Sequence, residues 1–232
     1  IAPLDAAGVL MIGHAHMGGF GSIEGVAAAK AEIIAGLRPE GTAILNADDA
    51  RAAAMAELAP AHVLTFSSQG RVADLRAENV VLDATARAAF DLHLPGLDEP
   101  RHVQLAVAGV HNVANALAAA GLAVAAGIAP GLIAERLGSV SIESPHRMDV
   151  SELGGDLLLI DDSYNANIDS MTAALAVLPA LAGDRRRVVV ISEMLELGES
   201  SAADHARTGE LAAQAGAAML IGIGSTQEAL EA

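Results

Sequence analysis

The sequence predicts an α/β protein of two domains, residues 1–140 and 141–232, with a parallel sheet flanked by helices in the second. Three observations carry this. From Arg147 onward, short aliphatic runs alternate with helical segments of about 10–15 residues, the signature of βαβ units. Hydrophobic residues make up 53% of the 232 but aromatics only 2%, so the core must be packed from small aliphatic side chains, which let helices lie close on a sheet. Between Ser139 and Pro145 the periodic pattern breaks, and the domain boundary is placed there.

The elements follow in order. Val9 to Ile12 reads as a short buried strand, followed by the glycine-rich "GHAHMGGFGS" and a helix from about Ile23 to Leu37 that Ser22 can cap. Gly41 stops what precedes it, and Thr42 to Leu45 is a short aliphatic strand entering the polar "NADD". Arg51 to Leu58 reads as helix and "HVLTFS" as strand; from Asp74 to Val107, alternating runs such as "FDLHL" and "HVQLAV" predict a β-rich section. "HNVANALAAAGLAVAAG" is a helix closed by Gly127, and "APGLIAERLGSV" a shorter one. Past the boundary, "RMDVSEL" and "DLLLI" are strands, then comes a helix from about Asp169 to Leu181, capped by Asp169 or Ser170. The strand "RRVVVIS", the helix "AADHARTGELAAQAG", the strand "AMLIGIG" and the start of one more helix complete the chain. An opening strand that follows almost nothing, and a last unit without a closing strand, predict a sequence truncated at both ends.

Composition excludes several functions. A formal charge of −16 repels a phosphate backbone, so nucleic acid is not expected as a partner. No apolar run reaches the roughly 18 residues of a membrane span, and "IAPLDAAGVLMIG" lacks the cationic start of a secretory leader. The absence of cysteine leaves no disulfide framework and fits a cytoplasmic protein. An anionic substrate would need local positive charge from selected side chains, a metal or helix N-termini. Twelve of the thirteen cationic residues are arginine, and Lys30 is the only lysine. An amine, unlike a guanidinium, can lose its proton and act as a nucleophile, for example towards CO2; drift towards arginine with one surviving lysine is the plainer alternative.

Polar chemistry concentrates in "IDDSYNANIDSM", where a buried strand runs into Asp161, Asp162, Ser163, the only tyrosine (Tyr164), Asn165 and Asn167. The carboxyl end of a strand is where open parallel sheets bind ligands, and the following helix offers its free N–H groups to an anion. Asp161 and Asp162 suit ribose hydroxyls or a cation. An Asx-rich turn with a helix cap explains one or two of these residues and leaves most of the cluster over. His14 and His16, at i and i+2 in the glycine-rich stretch, are either metal ligands or solvated loop histidines. Asn112 and Asn115, at i and i+3 near a helix start, share a face; capping accounts for one, base reading for the other. Arg147, in "PHRMDV" at the boundary, can reach a phosphate or lie on an ordinary surface. His205 is expected at the surface of the penultimate helix. No G-x-x-x-x-G-K-[ST] phosphate loop occurs in the sequence.

Taken in order, "AHMGGFGSIEGVAAAKAEI", "AILNADD", "HNVANALAAAGLA", "PHRMDV", "IDDSYNANIDSMTAAL" and "EMLELGE" resemble the Mur ligase family over nearly the whole chain. The resemblance implies the later part of a central ATPase domain (1–140) followed by a Rossmann-like C-terminal ligase domain (141–232). It implies a monomeric enzyme of peptidoglycan precursor synthesis that uses ATP and Mg2+ to activate a carboxylate as an acyl phosphate, which an amine then attacks. "DDSYNAN..SM" with "EMLELGE" points to the member that joins D-alanyl-D-alanine to UDP-N-acetylmuramoyl-tripeptide. By position, Lys30 matches the lysine that becomes N-carbamylated and binds magnesium, and His16 the histidine beside that metal. Asn112 and Asn115 match the adenine-side pair, Arg147 the arginine that meets the γ-phosphate, and Asp162 the aspartate that holds the ribose. Tyr164, Asn165 and Asn167 fall where the dipeptide and the C-terminal side of the nucleotide are expected. Ile168 stands where the family usually has proline, and Ser192-Glu193 where glycine–aspartate is commoner. Without a phosphate loop, the 232 residues alone are expected to be inactive. Two rivals are a sister ligase with another amino-acid substrate and a non-catalytic nucleotide- or substrate-binding module.

Overall fold

The computed structural model of the protein describes residues 3–13, 21–140 and 144–232. Two compact units divide it: one holds the opening residues to Ile12, Ile23–Asp83 and the stretch from Arg87 to the boundary, the other Gly13, Gly21, Ser22, Ala84–Ala86 and the stretch from 144 to Ala232.

The first unit is a six-stranded sheet in sequence order: β1 (Leu4–Val9), β2 (Leu37–Asn46), β3 (His62–Ser67), β4 (Leu75–Leu82), β5 (Arg87–His93) and β6 (Arg101–Ala108). The joins from β1 through β4 are parallel, and β4–β5 and β5–β6 are antiparallel, in keeping with the alternating runs read there. Between β1 and β2 lies α1 (Ile23–Ala35), and after β2 comes the short α2 (Ala50–Ala54), extended by a 3-10 turn over Met55–Leu58. The last four residues of β2, Ala43 to Asn46, are buried without alternation, as a strand covered on both faces must be.

Helix α3 (His111–Ala125) supplies that cover. Its buried residues Val113, Ala116, Leu117, Ala120 and Gly121 recur at helical spacing and form one apolar stripe. They pack with Ile44, Phe66, Phe90 and Leu105 in one core. Phe66 and Leu117 have no exposed surface; burying side chains of this size stabilises by about 1.5–3 kcal/mol each. Small residues are what permit this: a Cβ on Gly121 would lie 2.8 Å from Ile44 Cγ2. Helix α4 (Pro130–Leu137) starts on proline, whose missing N–H costs nothing in a first turn.

The first strand differs from the expectation. β1 ends at Val9, paired with Leu45, rather than running from Val9 to Ile12. Beyond it, side chains replace the ladder: Asn46 Nδ2 donates to Leu10 O (2.8 Å), and Ile12 N–H donates to Asp49 Oδ2 (2.6 Å).

The second unit opens with β7 (Asp149–Gly154) and β8 (Leu157–Asp161), which pair antiparallel rather than joining a parallel sheet. The cause is the two-residue turn Gly155-Asp156, both at positive φ (60° and 62°), as a type I′ hairpin demands. Helix α5 (Ile168–Ala182) leads to β9 (Val188–Ser192), and α6 (Ser201–Gln214) crosses to β10 (Met219–Ile223), which pairs parallel with β9 as expected. The short α7 (Gln227–Glu231) follows. Leu175, Val189, Ile191, Ala212, Ala215 and Ala229 form the core of this unit. β8 and β9 belong to separate sheets, and a cleft of about 820 Å3 runs along both. Among the described residues no helix is long and apolar enough to cross a membrane.

Candidate active site

The residues singled out in the sequence fall in both units. In the first, Lys30 projects from α1 and its Nζ donates to the Met11 carbonyl at 2.8 Å. The carbonyl belongs to the short stretch after β1 that Asn46 and Asp49 hold. Asp49 is committed three ways: Oδ1 accepts from the N–H groups of Arg51 (2.9 Å) and Ala52 (3.1 Å), capping α2, while Oδ2 takes Ile12 N–H. Arg51 in turn donates to Glu24 Oε1 at 2.8 Å, tying α2 to the first turn of α1 and lowering the Glu24 pKa. Asp48, beside them, accepts from Ser67 Oγ (2.6 Å) and Ser68 N–H (2.8 Å) and fixes the end of β3.

His14 and His16 lie outside the described residues. Among those described, no three His, Cys, Asp or Glu side chains gather into a metal-binding group. An ammonium offers a cation nothing, so Lys30 fits magnesium only as its carbamate, whose oxygens are the hard donors that ion takes. Asn112 and Asn115 stand on one face of the first turns of α3. Asn112 Nδ2 donates to Ala108 O (2.7 Å), and Asn115 Nδ2 donates to Asn112 Oδ1 (2.9 Å). The pair is thus oriented from β6, and Asn115 remains exposed.

In the second unit, the turn after β8 interlocks with the loop before β7. His146 Nδ1 donates to Asp161 Oδ2 (2.7 Å), Met148 N–H donates to Asp162 Oδ1 (2.9 Å), and Tyr164 N–H donates to His146 O (3.0 Å). His146 and Met148 hold φ of 62° and 49°, a left-handed backbone that costs side-chain-bearing residues energy and needs such contacts to persist. Between them, Arg147 lays its guanidinium over the Tyr164 ring, 4.0 Å from the centroid. His146, more than the Ser163 hydroxyl and N–H, holds the Asp161 carboxyl down to about 2. Asp161, Asp162, Tyr164 and Asn165 line the cleft along β8 and β9.

Four of the polar residues quoted from this turn have local duties. Asp161 Oδ1 accepts from Ser163 N–H and Oγ, and Asn165 Oδ1 accepts from Ala166 N–H. The cap of α5 is Asn167, not Asp169: its Oδ1 accepts Ser170 N–H (2.9 Å), while Ser170 Oγ takes Asn167 N–H (3.0 Å), a reciprocal capping box. Asn167 is extended (φ −147°), as a cap residue must be, whereas Asp169 already lies in the first turn.

Sequence reasoning missed His146 and misplaced His205. The latter is buried, with Nδ1 donating to Ser201 O (2.7 Å) and Nε2 accepting Met194 N–H (3.0 Å), so it anchors the start of "MLELGE". The buried stripe His205, Thr208, Gly209 and Ala212 repeats at helical spacing and carried the signal.

Residues 1–123 match the Mur ligase middle domain, and residues 146–232 match the family described as Mur ligase, glutamate ligase domain. The chain is 41% identical over 229 residues to UDP-N-acetylmuramoyl-tripeptide–D-alanyl-D-alanine ligase of Mycobacterium tuberculosis (strain ATCC 25618 / H37Rv), covering 97% of this chain and 44% of that protein. It is 38% identical over 230 residues to the ligase of the same name from Escherichia coli (strain K12), covering 97% and 49%. The crystal structure I of MurF from Acinetobacter baumannii superposes with a TM-score of 0.86 at 35% identity, over 98% of this chain and 48% of that one. The chain therefore spans less than half the length of these relatives.

Proposed function

The chain belongs to the Mur ligase family, and from that premise we propose that it serves the ATP-dependent joining of D-alanyl-D-alanine to UDP-N-acetylmuramoyl-tripeptide in peptidoglycan precursor synthesis. The tripeptide carboxylate is activated as an acyl phosphate, the dipeptide amine attacks, and an amide, ADP and phosphate result. The observation that carries this reading is the interlocked pair of loops at the end of β8. There two aspartates, a tyrosine and an asparagine line one cleft, and Arg147 lies over that tyrosine.

In this reading Asn115, aimed by Asn112, takes the adenine edge, and Asp162 holds the ribose. Arg147 meets the γ-phosphate: its planar fork suits phosphate oxygens, and the Tyr164 ring limits the orientations it must give up on binding. Tyr164 and Asn165 bind the dipeptide side, with Asn167 contributing beyond its capping role. Lys30, as a carbamate, and His16 would hold magnesium, which when bound supplies positive charge to the oxygens on which negative charge develops. The reading makes the protein a cytoplasmic monomer. Domains border at 140/141, one for nucleotide and one for ligation.

Amide formation by the gene product that carries this sequence, with UDP-N-acetylmuramoyl-tripeptide, ATP, Mg2+ and a panel of amines, tests the proposal. Product with D-alanyl-D-alanine and none with single amino acids is expected. Product with a single amino acid but not the dipeptide would move the chain to a sister ligase, and nucleotide binding without product to a binding module. The 232 residues alone are expected to give no turnover.

A further inference from the structure

The Lys30 amine does not choose its own position; the backbone it rests on is held by the side chains of Asn46, the last residue of β2, and Asp49, the cap of α2. Asn46 is buried, and its Nδ2 donates to Leu10 O at 2.8 Å while its Oδ1 accepts Asp48 N–H at 2.8 Å. Asp49 Oδ2 takes Ile12 N–H at 2.6 Å. Ile12 N–H belongs to the same peptide unit as the Met11 carbonyl and Leu10 O to the unit before it, so these two bonds clamp the unit whose carbonyl receives Lys30 Nζ and the one preceding it. A strand end left to itself frays; here Leu10 is tied to the buried last residue of β2 and Ile12 to the cap of α2. The clamp also explains why β1 stops at Val9, since the backbone groups that would extend its ladder are already taken.

We propose that Asp49 and Asn46 are positioning residues for Lys30, presenting the Met11 carbonyl so that the lysine nitrogen is oriented for carbamate formation and stays oriented afterwards. The inference rests on the reading of Lys30 as a carbamate. In that step the unprotonated amine attacks the carbon of dissolved CO2. The N–C bond forms, one C–O π pair moves onto oxygen, and one N–H proton passes to solvent, leaving R–NH–COO−. One N–H remains and still donates to the Met11 carbonyl, so a single acceptor serves both the amine and its product. The carboxylate must then point away from Met11, and the clamp decides in which direction.

The geometry provides clean variants. Asp49→Asn keeps one oxygen to cap α2, since asparagine caps as well as aspartate. It cannot also accept Ile12 N–H, because its second terminal group is a donor. Asn46→Asp keeps the acceptor for Asp48 N–H and loses the donor to Leu10 O. Asp48→Asn perturbs the same strand end through Ser67 and Ser68 without touching residues 10–12, and serves as control. The chain is equilibrated with 13C-bicarbonate and its carbamate signal read by 13C NMR, with circular dichroism reporting the fold. Lys30 is the only lysine, so the signal that Lys30→Arg removes belongs to it.

The expected result is a carbamate signal in the unaltered chain and in Asp48→Asn, reduced about tenfold in Asp49→Asn and in Asn46→Asp, the usual weight of one lost hydrogen bond, with unchanged circular dichroism. If one of the two variants fails to fold, the other decides. Full signal in a folded Asp49→Asn or Asn46→Asp overturns the positioning role and leaves the carbamate reading intact. No signal removable by Lys30→Arg overturns both.

Discussion

His146 and Asp161 form the contact on which the second cluster turns. The imidazole donates to one carboxylate oxygen while Ser163 donates twice to the other, and the carboxyl is held down to about 2, with His146 the largest cause. Replacing His146 with alanine should therefore raise the Asp161 pKa measured by 13C NMR titration. It should not return fully to the ordinary carboxylate range, because the Ser163 bonds remain. The sign for stability follows. A carboxyl whose pKa is lower folded than unfolded contributes above its unfolded value and loses that contribution as pH falls towards about 2. An unchanged Asp161 titration in His146→Ala would remove His146 from the site. The sequence placed Asp161 and Arg147 in view, but nothing in "PHR" announces that His146 sits at positive φ and reaches fifteen residues along the chain.

Two elements set the positions of these residues and make opposite demands on substitution. Asn167 starts α5 with a side-chain cap, so Asn167→Ala should cost about 1 kcal/mol in urea unfolding. A loss near zero would mean that the Ser170 half of the box suffices. In α3 the constraint is space. Gly121→Ala gains about 1 kcal/mol of helix propensity but sets its Cβ 2.8 Å from Ile44 Cγ2 and 3.2 Å from Cγ1, in a core without slack. Overpacking typically costs about 1–3 kcal/mol, so alanine should come out near neutral to mildly destabilising. Gly121→Val, larger and without the propensity gain, should cost about 2–3 kcal/mol. Wild-type stability in Gly121→Val would mean that α3 can move away from β2. The helices and strands were legible because their apolar residues recur at periods of 3.6 and 2. The cap was assigned to the wrong residue because Asn167, Asp169 and Ser170 are all capping types, and only the backbone angles decide which is extended.

At the scale of the molecule, charge dominates. Twenty-nine acidic side chains face thirteen basic ones, so repulsion outweighs the exposed ion pairs such as Arg51–Glu24 and Arg76–Glu78, which are worth little individually. Raising salt from about 0.05 to about 0.5 M, which shortens the screening length several-fold, should raise Tm at neutral pH; a fall would mean that the ion pairs contribute more than the excess charge removes. The sequence by itself determined the element order, the small-residue core, the acidic surface and the family. It also placed a polar cluster at the end of β8, since each of these is written in local periodicity, composition or motif. Tertiary structure alone decided that β7 and β8 pair antiparallel, that His205 is buried, and that Asn46 and Asp49 reach back to Leu10 and Ile12. The reason is that a periodic pattern records which face of an element is apolar, whereas the partner of a given N–H or C=O is settled only when segments some 36 residues apart meet in space.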